Sequence, residues 1–258
     1  MAPSISSQFV YAKLGQVISG IKALGFHTTV EAALGADMVA FKESEELIEK
    51  GFLMSSCCPA FVKYVENGFP QLRELMSTNL SPAATIAKHI KSGDPTCKTV
   101  FIGPCTAKKA EYHREEVRPY IDCVITFEEL QALFDSKKID ITTLEEDYLD
   151  NASYYGRIFA RSCGLTDAMA EGIKEHHSDF EMKPVPCNGI EECRIALLRK
   201  NKNILDGNFI EGMACINGCI GGAGCLTHGE KNRAEVDKYG AEAMEKTISD
   251  AISLMNIN

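Results

Sequence analysis

Cysteine is the residue type that stands out in this sequence, with eleven among 258 residues. Five of these cysteines lie in three short segments, SSCCPAFVKY at 55–64, IGPCTAKKAE at 102–111 and EGMACINGCIGGAG at 211–224. In each segment a cysteine ends an apolar run and is followed by proline, glycine or another small residue. Thiolates are good ligands for zinc and for iron–sulfur clusters, so these segments predict metal binding.

The three segments are expected to meet in space. Ligand sites of open α/β sheets lie just outside the carboxyl ends of the strands, and each segment follows a run that could form such a strand. This placement would deliver four cysteines to one crevice, namely Cys58, Cys105, Cys215 and Cys219. Four thiolates suit either a tetrahedral zinc ion or a cubane iron–sulfur cluster.

Spacing favours the cluster over zinc. Structural zinc sites usually use two CxxC pairs, whereas here only Cys215 and Cys219 are close together, as CxxxC. The glycines after Cys219 would let the backbone approach a bulky inorganic group, because no Cβ intrudes. An ordinary buried cysteine is the alternative for any one segment, but three matching segments favour a shared ligand set.

Cys57 and Cys58 are neighbours in the chain, and such a pair makes a poor disulfide because closing it strains the intervening peptide. In a reducing compartment, clustered cysteines bind metal or carry out redox chemistry more often than they form disulfides. The pair therefore predicts a separate function for each thiol.

Composition narrows the class of protein. The formal net charge is −9 and the basic residues are scattered, which argues against nucleic acid as a partner. The apolar runs fall short of the roughly 18 to 20 residues needed to span a bilayer, and no signal segment opens the chain. We therefore expect a cytoplasmic protein without membrane contact, folded as one large domain or two packed lobes.

Helix and strand patterns alternate along the chain, which predicts an α/β fold of mainly parallel sheet flanked by helices. Strands are predicted in KTVFIGPC, DCVITF, NFIEGMAC and the start of TTVEAALGADMVAF. Helices are predicted in QFVYAKLGQVISGIKALGF, KESEELIEKG, EELQALFDSKK, GIEECRIALLRKN and YGAEAMEKTISDAISLM. The poorly patterned stretch near 140–155 predicts a boundary between two lobes, with the metal site in the cleft between them.

The cysteine segments resemble the three signature motifs of the iron-only (FeFe) hydrogenases, which run roughly TSCCPxW, MPCxxKxxE and ExMACxxGCxxGGGQP. Order, spacing and context agree over nearly the whole chain. The opening residues APS also resemble the start of that family's cluster-binding domain. The resemblance implies a catalytic H-cluster domain over residues 1–258, as if cut from a longer protein. The ferredoxin-like cysteine repeats that usually precede this domain are expected to be absent.

The resemblance implies an H-cluster, which is a 4Fe–4S cubane joined through a cysteine sulfur to a two-iron unit carrying CO, cyanide and an azadithiolate bridge. By position, the cubane ligands would be Cys58, Cys105, Cys215 and Cys219, of which Cys219 would bridge to the two-iron unit. Contacts to that unit are implied for Lys108, Met213, Ser4 and Pro3. Lys108 would donate to a cyanide, because an ammonium group satisfies an anionic ligand in a dry pocket.

The resemblance also assigns a function to the first cysteine of the pair. Cys57 would face the open iron and pass protons, since the pKa of a thiol lies nearer neutrality than that of a hydroxyl. A proton relay to solvent is implied through Glu43, Ser77 and Glu46, with Lys50 at its outer end. Helical spacing places the two glutamates on one face. Without the resemblance, KESEELIEK would be only a solvated charged helix.

The sequence departs from the family motifs at several positions. These departures resemble the divergent branches of the family that are assigned to sensing. They are Gly103 for methionine, Phe61 for tryptophan, Ala83 for glutamine, and Ala223, Cys225 and Leu226 at the end of the third motif. These changes predict slow turnover without loss of the cluster. The other cysteines are expected to be structural, namely Cys97, Cys123, Cys163, Cys187 and Cys193.

Two functions compete. The first is a hydrogenase, an oxidoreductase that interconverts protons, electrons and H2, with hydrogen sensing as the role of slow turnover. It would need an electron partner, such as ferredoxin or an N-terminal iron–sulfur module, and maturation proteins. The alternative is a hydrogenase-like iron–sulfur scaffold or assembly protein without H2 turnover. The presence of Cys57, Lys108 and Met213 favours the hydrogenase, and a zinc-binding regulatory domain is a weaker third interpretation.

Overall fold

The computed structural model describes residues 1–229 and 231–254. The helices are α1 Leu14–Ala23, α2 Ala32–Lys50, α3 Pro59–Gly68, α4 Pro82–Gly93, α5 Lys108–Glu111, α6 Phe127–Lys137, α7 Tyr154–Ile158, α8 Gly164–Glu175, α9 Ile190–Asn201, α10 Lys231–Ala241 and α11 Ile248–Ser253. The strands are β1 Leu53–Met54, β2 Val100–Gly103, β3 Cys123–Thr126, β4 Pro184–Asn188 and β5 Phe209–Met213. Short 3-10 turns lie at Pro3–Ser7, Pro70–Leu75, Ile141–Thr143 and Cys219–Gly221.

The strands form two parallel sheets. In the three-stranded sheet, β5 lies between β1 and β4, and Met54 is paired with Ile210. In the two-stranded sheet, β2 runs parallel to β3, beginning with Val100 opposite Cys123. Helices flank both sheets, so the predicted α/β fold with parallel sheet is confirmed. The carboxyl ends of β1, β2 and β5 lead directly into the three cysteine segments.

Helix α2 is the centre of the packing, since it contacts α4, α7, α8 and α11. Its side chains Leu34 and Leu47 are fully buried, and each such burial stabilises the fold by roughly 1.5–3 kcal/mol. The helix also comes very close to α4, because a Cβ at Gly35 would lie 2.1 Å from the carbonyl oxygen of Pro82. A helix anchored this firmly provides a fixed support for the polar residues on its second half.

The prediction of a strand at the start of TTVEAALGADMVAF is wrong, because residues 28–31 contain no helix or strand and α2 begins at Ala32. Residues Ala32–Lys50 form one continuous helix, and it ends at Gly51, whose φ of 72° is left-handed. The first half of α2 is buried among other helices on several sides, so it lacks the periodicity that separates a helix from a strand. The predicted helix KESEELIEKG is the second half of α2.

Two strands have no counterpart among the predicted ones. β1 is only two residues long, too short to show a pattern. β4 contains Pro184 and Pro186 and lies at an edge of its sheet, where a missing N–H is tolerated. The helix predicted over 239–255 is divided between the end of α10 and α11, and its residue 255 lies outside the described residues.

Residues 144–153 contain no helix or strand, and the lobe boundary near 140–155 stays a prediction. A buried ion pair fastens the chain just after this stretch, with Arg157 Nε 2.9 Å from Glu31 Oε1 and both side chains 2% exposed. In the described part of the chain, every helix is too short or too polar to cross a membrane.

Candidate metal centre

One apolar cavity at the carboxyl ends of both sheets collects most of the residues that the sequence singles out. Its lining includes Cys57, Cys58, Cys105, Cys215, Cys219, Lys108, Met213 and Pro3. The four predicted ligands thus face a common space although they come from three distant segments. Their arrangement follows from the fold, because parallel strands deliver their carboxyl ends to the same edge.

Each predicted ligand position is set by a local turn. Cys58 is the residue before α3, and Pro59 occupies the first turn of that helix, where its missing N–H costs nothing. Cys105 stands between β2 and α5, and Cys215 follows β5. The chain reverses before Cys219 through Gly218, whose φ is 76°. A Cβ there would lie 2.7 Å from the amide nitrogen of Ser162, so a side chain is excluded.

The cavity thiols lie in a weakly solvating environment. Burial raises the pKa of Cys219 well above that of an ordinary thiol and raises the pKa of Cys215 to about 11. Burial, and then the charge of Glu43, raise the pKa of Cys57 in the same direction. Metal ligands must be thiolates, and a bound metal supplies the positive charge that makes deprotonation favourable.

The donor set fits a cluster better than a single ion. Within residues 1–229 and 231–254, no three cysteine, histidine or acidic side chains come close enough to chelate one metal ion. A four-iron cubane takes one thiolate at each iron, so its ligands surround a larger body. The backbone is packed closely beside the site, since a Cβ at Gly222 would lie 2.6 Å from the carbonyl oxygen of Pro104.

Lys108 brings a buried positive charge to the cavity. Its Nζ lies 2.6 Å from Glu111 Oε2 and donates to the carbonyl of Cys57 at 3.4 Å. Burial would lower the pKa of Lys108, but the Glu111 carboxylate outweighs it and the pKa is raised. Glu111 therefore pairs with a neighbouring base. The ammonium is held as a cation facing the cavity.

The opening residues close another side of the site. Pro3 and Ala2 line the cavity. The hydroxyl of Ser4 is fully buried and has no hydrogen-bond partner among the described residues. An unpaired buried hydroxyl is costly unless a ligand satisfies it. This unpaired donor and the Lys108 ammonium both fit a group that carries anionic ligands.

The predicted relay residues lie between Cys57 and the surface. Glu43 is fully buried and Glu46 is 9% exposed, both on the second half of α2. Ser77 Oγ donates to Glu46 Oε2 at 3.2 Å, and Lys50 Nζ lies 2.5 Å from Glu46 Oε1. Burial raises the pKa of Glu43 to about 7. The structure therefore brings these four residues together in one polar strip.

Three further residues of this strip were not anticipated from the sequence. Ser56 Oγ lies 3.4 Å from Glu43 Oε1 and donates to the carbonyl of Asn79 at 2.9 Å. Thr78 and Asn79 both donate to Glu46. The only signal in the sequence is their position, since each is adjacent to, or two residues from, a residue assigned to the relay.

The motif departures have local consequences. Phe61 is fully buried and covers β5 so closely that a Cβ at Gly212 would lie 2.2 Å from its ring. The ring of Phe101 lies beside Gly103, within 2.7 Å of where a Cβ would stand. Ala83 lines the cavity. Cys225 is buried in the core and donates to the carbonyl of Ile220 at 3.5 Å.

The cysteines expected to be structural differ in burial. Cys187 and Cys193 are buried, Cys97 and Cys163 are half-buried, and Cys123 is exposed. Cys193 Sγ donates to the carbonyl of Met213 at 3.6 Å, directly behind the cavity wall. The exposed thiol of Cys123 contributes no core packing, so the structural interpretation fits the buried pair better.

The fold and the cysteine-lined cavity define an α/β domain with a candidate metal centre, and a family model matches most of the chain. Residues 1–223 match the model described as "Iron only hydrogenase large subunit, C-terminal domain". The chain belongs to this family.

Curated relatives include both hydrogenases and an assembly factor. Iron hydrogenase 1 of Clostridium pasteurianum is 28% identical over 293 residues, which cover 92% of this chain and 51% of that protein. The cytosolic Fe-S cluster assembly factor NAR1 of Kluyveromyces lactis is 38% identical over 99 residues, covering 38% of this chain and 21% of that protein. The chain spans about half the length of the first of these relatives.

Solved structures share the fold. A variant of the FeFe-hydrogenase HydA1 from Chlamydomonas reinhardtii gives a TM-score of 0.75 at 17% identity, covering 99% of this chain and 87% of that chain. The structure of HydA(deltaEFG), described as revealing stepwise H-cluster assembly, gives a TM-score of 0.73 at 18% identity with the same coverage. At these identities the likeness concerns the fold alone.

Proposed function

We propose that this chain is a hydrogenase domain that interconverts protons, electrons and H2 at an H-cluster. The observation that carries the proposal is the apolar cavity lined by four cysteines together with Cys57 and Lys108. A scaffold that only stores a cluster has no use for a buried ammonium and a spare buried thiol at the same site.

The proposed ligands of the cubane are Cys58, Cys105, Cys215 and Cys219. When bound, an H-cluster supplies the metal and the basic amine at which H2 is formed or split, together with the cubane that exchanges electrons. Lys108 would donate to an anionic ligand of the two-iron unit, and the unpaired hydroxyl of Ser4 could do the same from the opposite segment. Met213 fills the cavity wall and helps to exclude water.

The chain itself moves the proton. Burial and then the charge of Glu43 raise the pKa of Cys57, which favours its thiol form, so the thiol would pass protons without remaining a thiolate. Glu43, with a pKa of about 7, is suited to hold or release a proton near neutrality. Ser77 and Glu46 would extend this relay toward Lys50, whose side chain is 40% exposed.

The partners follow from this chemistry. The cubane must exchange electrons with an external carrier, such as ferredoxin or an iron–sulfur module elsewhere in a longer protein, and maturation proteins must build the two-iron unit. Part of the cubane site lies near the surface, because Cys215 is only half-buried and Ile216 is 68% exposed. The proposed location is the cytoplasm, and the proposed role of slow turnover is hydrogen sensing.

The decisive experiment is maturation of the purified protein with a synthetic two-iron cofactor. We expect infrared bands of CO and cyanide, and consumption or evolution of H2. Cys57→Ala should retain the bands and lower turnover by orders of magnitude, whereas the exposed Cys123→Ala should leave both unchanged. If Cys57→Ala turns over as fast as the parent, the thiol is not part of the relay.

A second function is supported by the NAR1 relative, which is named as a cytosolic Fe-S cluster assembly factor. An assembly or scaffold protein would load the cubane through the same four cysteines and would not turn over H2. Loading of the cubane without infrared bands after maturation would favour this alternative over the hydrogenase.

A further inference from the structure

The two carboxylates of the proposed relay are satisfied very differently. Glu43 Oε1 has Ser56 Oγ at 3.4 Å, and Glu43 Oε2 is buried with no hydrogen-bond partner among the described residues. Glu46 accepts from several groups at once. Its donors are Ser77 Oγ at 3.2 Å, Thr78 N at 3.2 Å, Thr78 Oγ1 at 3.1 Å, Asn79 Nδ2 at 2.9 Å and Lys50 Nζ at 2.5 Å.

Asn79 connects the two ends of this strip. Its side-chain amide donates to Glu46 and to Ser77 Oγ at 3.2 Å, and its backbone amide also donates to Ser77 Oγ at 3.2 Å. Its carbonyl accepts from Ser56, the residue before Cys57. One half-buried, uncharged residue therefore fixes the positions of groups on both sides of the relay.

We propose that Thr78 and Asn79 lock Glu46 as a carboxylate, and that Asn79 is thereby a positioning residue that slows proton passage between Glu43 and solvent. This inference rests on the proposed hydrogenase function and adds a structural cause for slow turnover.

The physical reason is that hydrogen bonds donated to a carboxylate stabilise its charged form. Donors that point at a carboxylate lower its pKa, because they favour the charged form over the protonated one. Burial would raise the pKa of Glu46, but the ammonium of Lys50 and the donors of Thr78 outweigh it, and the pKa is lowered. A proton on Glu46 is then a high-energy state, whichever direction it travels.

The charged groups that face Glu46 are few. On its own helix these are Lys50 and Glu43, and the segment 77–79 that packs against it contributes only neutral donors. Lys50 is 40% exposed, so solvent screens part of its effect. The neutral donors are not screened by salt, which makes Asn79 the better residue to test.

The first test measures the carboxylate itself in protein that lacks the two-iron unit. With 13C-labelled glutamate, NMR would follow the Glu46 carboxyl through a pH titration, with its resonance assigned by its loss in Glu46→Gln. We expect a wild-type midpoint below that of an exposed glutamate, raised by about one pKa unit in Asn79→Ala, since a hydrogen bond to a charged group is typically worth about 1.5–3 kcal/mol. Thr78→Val should shift the midpoint in the same direction.

Equal midpoints of the Glu46 titration in wild type and Asn79→Ala would overturn the proposal that Asn79 holds Glu46 as a carboxylate. This includes the case in which both midpoints lie below the measurable range. A wild-type midpoint at or above that of an exposed glutamate would do the same. Because no hydrogen chemistry is involved, these outcomes are independent of the proposed function.

The second test measures rate in the matured protein. Asn79→Ala should turn over up to about tenfold faster at neutral pH, because one pKa unit corresponds to a factor of about ten in the population of protonated Glu46. The matched control is Asn201→Ala, which removes an exposed amide that accepts from Gln71 and should leave turnover unchanged. Turnover that is unchanged or slower in Asn79→Ala would overturn the proposal that Asn79 slows proton passage. If the matured protein shows no turnover at all, both the hydrogenase function and the slowing of proton passage by Asn79 would be overturned.

Discussion

The cluster cavity and the relay strip meet at Cys57, but the Ser4 hydroxyl beside the cavity and the Glu46 carboxylate of the strip are satisfied in opposite ways. In the cavity, thiols with raised pKa values face apolar walls. Next to the cavity-lining Pro3, the Ser4 hydroxyl has no partner in the described residues. In the strip, Glu46 alone accepts from four neighbouring residues. The unpaired Ser4 hydroxyl leaves a donor for a cofactor, whereas the oxygens of Glu46 are already occupied by donors of the protein.

The largest effect is expected from removing one of the proposed cluster ligands in the cavity, which should lead to loss of the cluster. Cys219→Ala removes the proposed ligand at which the third motif turns, and a cubane with three protein ligands should be lost or bound weakly. Iron content and visible absorption after anaerobic reconstitution would measure this. Cys187→Ala is the matched buried control, and it should retain full iron. A Cys219→Ala protein with wild-type iron content would remove Cys219 from the ligand set.

The next effect concerns the single cation of the cavity. Lys108→Met leaves the Glu111 carboxylate buried and uncompensated, and loss of one partner from a buried ion pair costs about 3–5 kcal/mol of unfolding free energy. Urea unfolding at matched iron content would measure it. Lys109→Met breaks the exposed pair with Glu129 and should cost about 0–1 kcal/mol. The double variant Lys108→Met/Glu111→Gln should recover most of the loss, and equal stability of single variant and wild type would contradict the pairing.

The pH dependence of stability separates the two relay carboxylates. The folded-state pKa of Glu43 is about 7, above the ordinary value of 4.5, so its contribution to stability is present below pH 4.5 and lost as the pH rises through 7. Glu43→Gln should therefore become more stable relative to wild type between pH 5 and pH 8, by up to about 3 kcal/mol. Chemical denaturation at several pH values would show this. The exposed Glu45→Gln should show no such trend, and a pH-independent difference for Glu43→Gln would refute the raised pKa.

The contrast also explains which parts of the molecule could be predicted from sequence. The cysteines of the cavity lie in contiguous motifs at strand ends, so their types and spacing point to one site. Apart from Lys50, the partners of Glu46 are small neutral residues whose role depends on where the turn after Pro70–Leu75 meets α2. Serine, threonine and asparagine in that position are equally typical of a surface loop, so Thr78 and Asn79 carry no distinctive pattern.

The fold shows a similar division. The strands β2, β3 and β5 are apolar and bounded by turn residues, and they were predicted correctly. The first half of α2 was not, because burial on several sides removes the periodicity on which the distinction between helix and strand depends. β1 has only two residues, and its pairing with β5 depends on contacts across about 155 residues of sequence, which local patterns do not encode.

The smallest effect is expected for Cys225→Ala, which tests whether the cofactor site extends beyond the residues that line the cavity. Cys225 is 2% exposed and lies in the core cluster with Ile5 and Phe127, and its thiol donates to the carbonyls of Cys219 and Ile220 at 3.7 and 3.5 Å. Because it packs behind the ligand loop and does not line the cavity, Cys225→Ala should cost about 1 kcal/mol of stability, as a small core truncation does. Iron content should stay at the wild-type level. Loss of iron in Cys225→Ala would instead extend the cofactor site to this cysteine, and the boundary drawn between cavity and core would have to move.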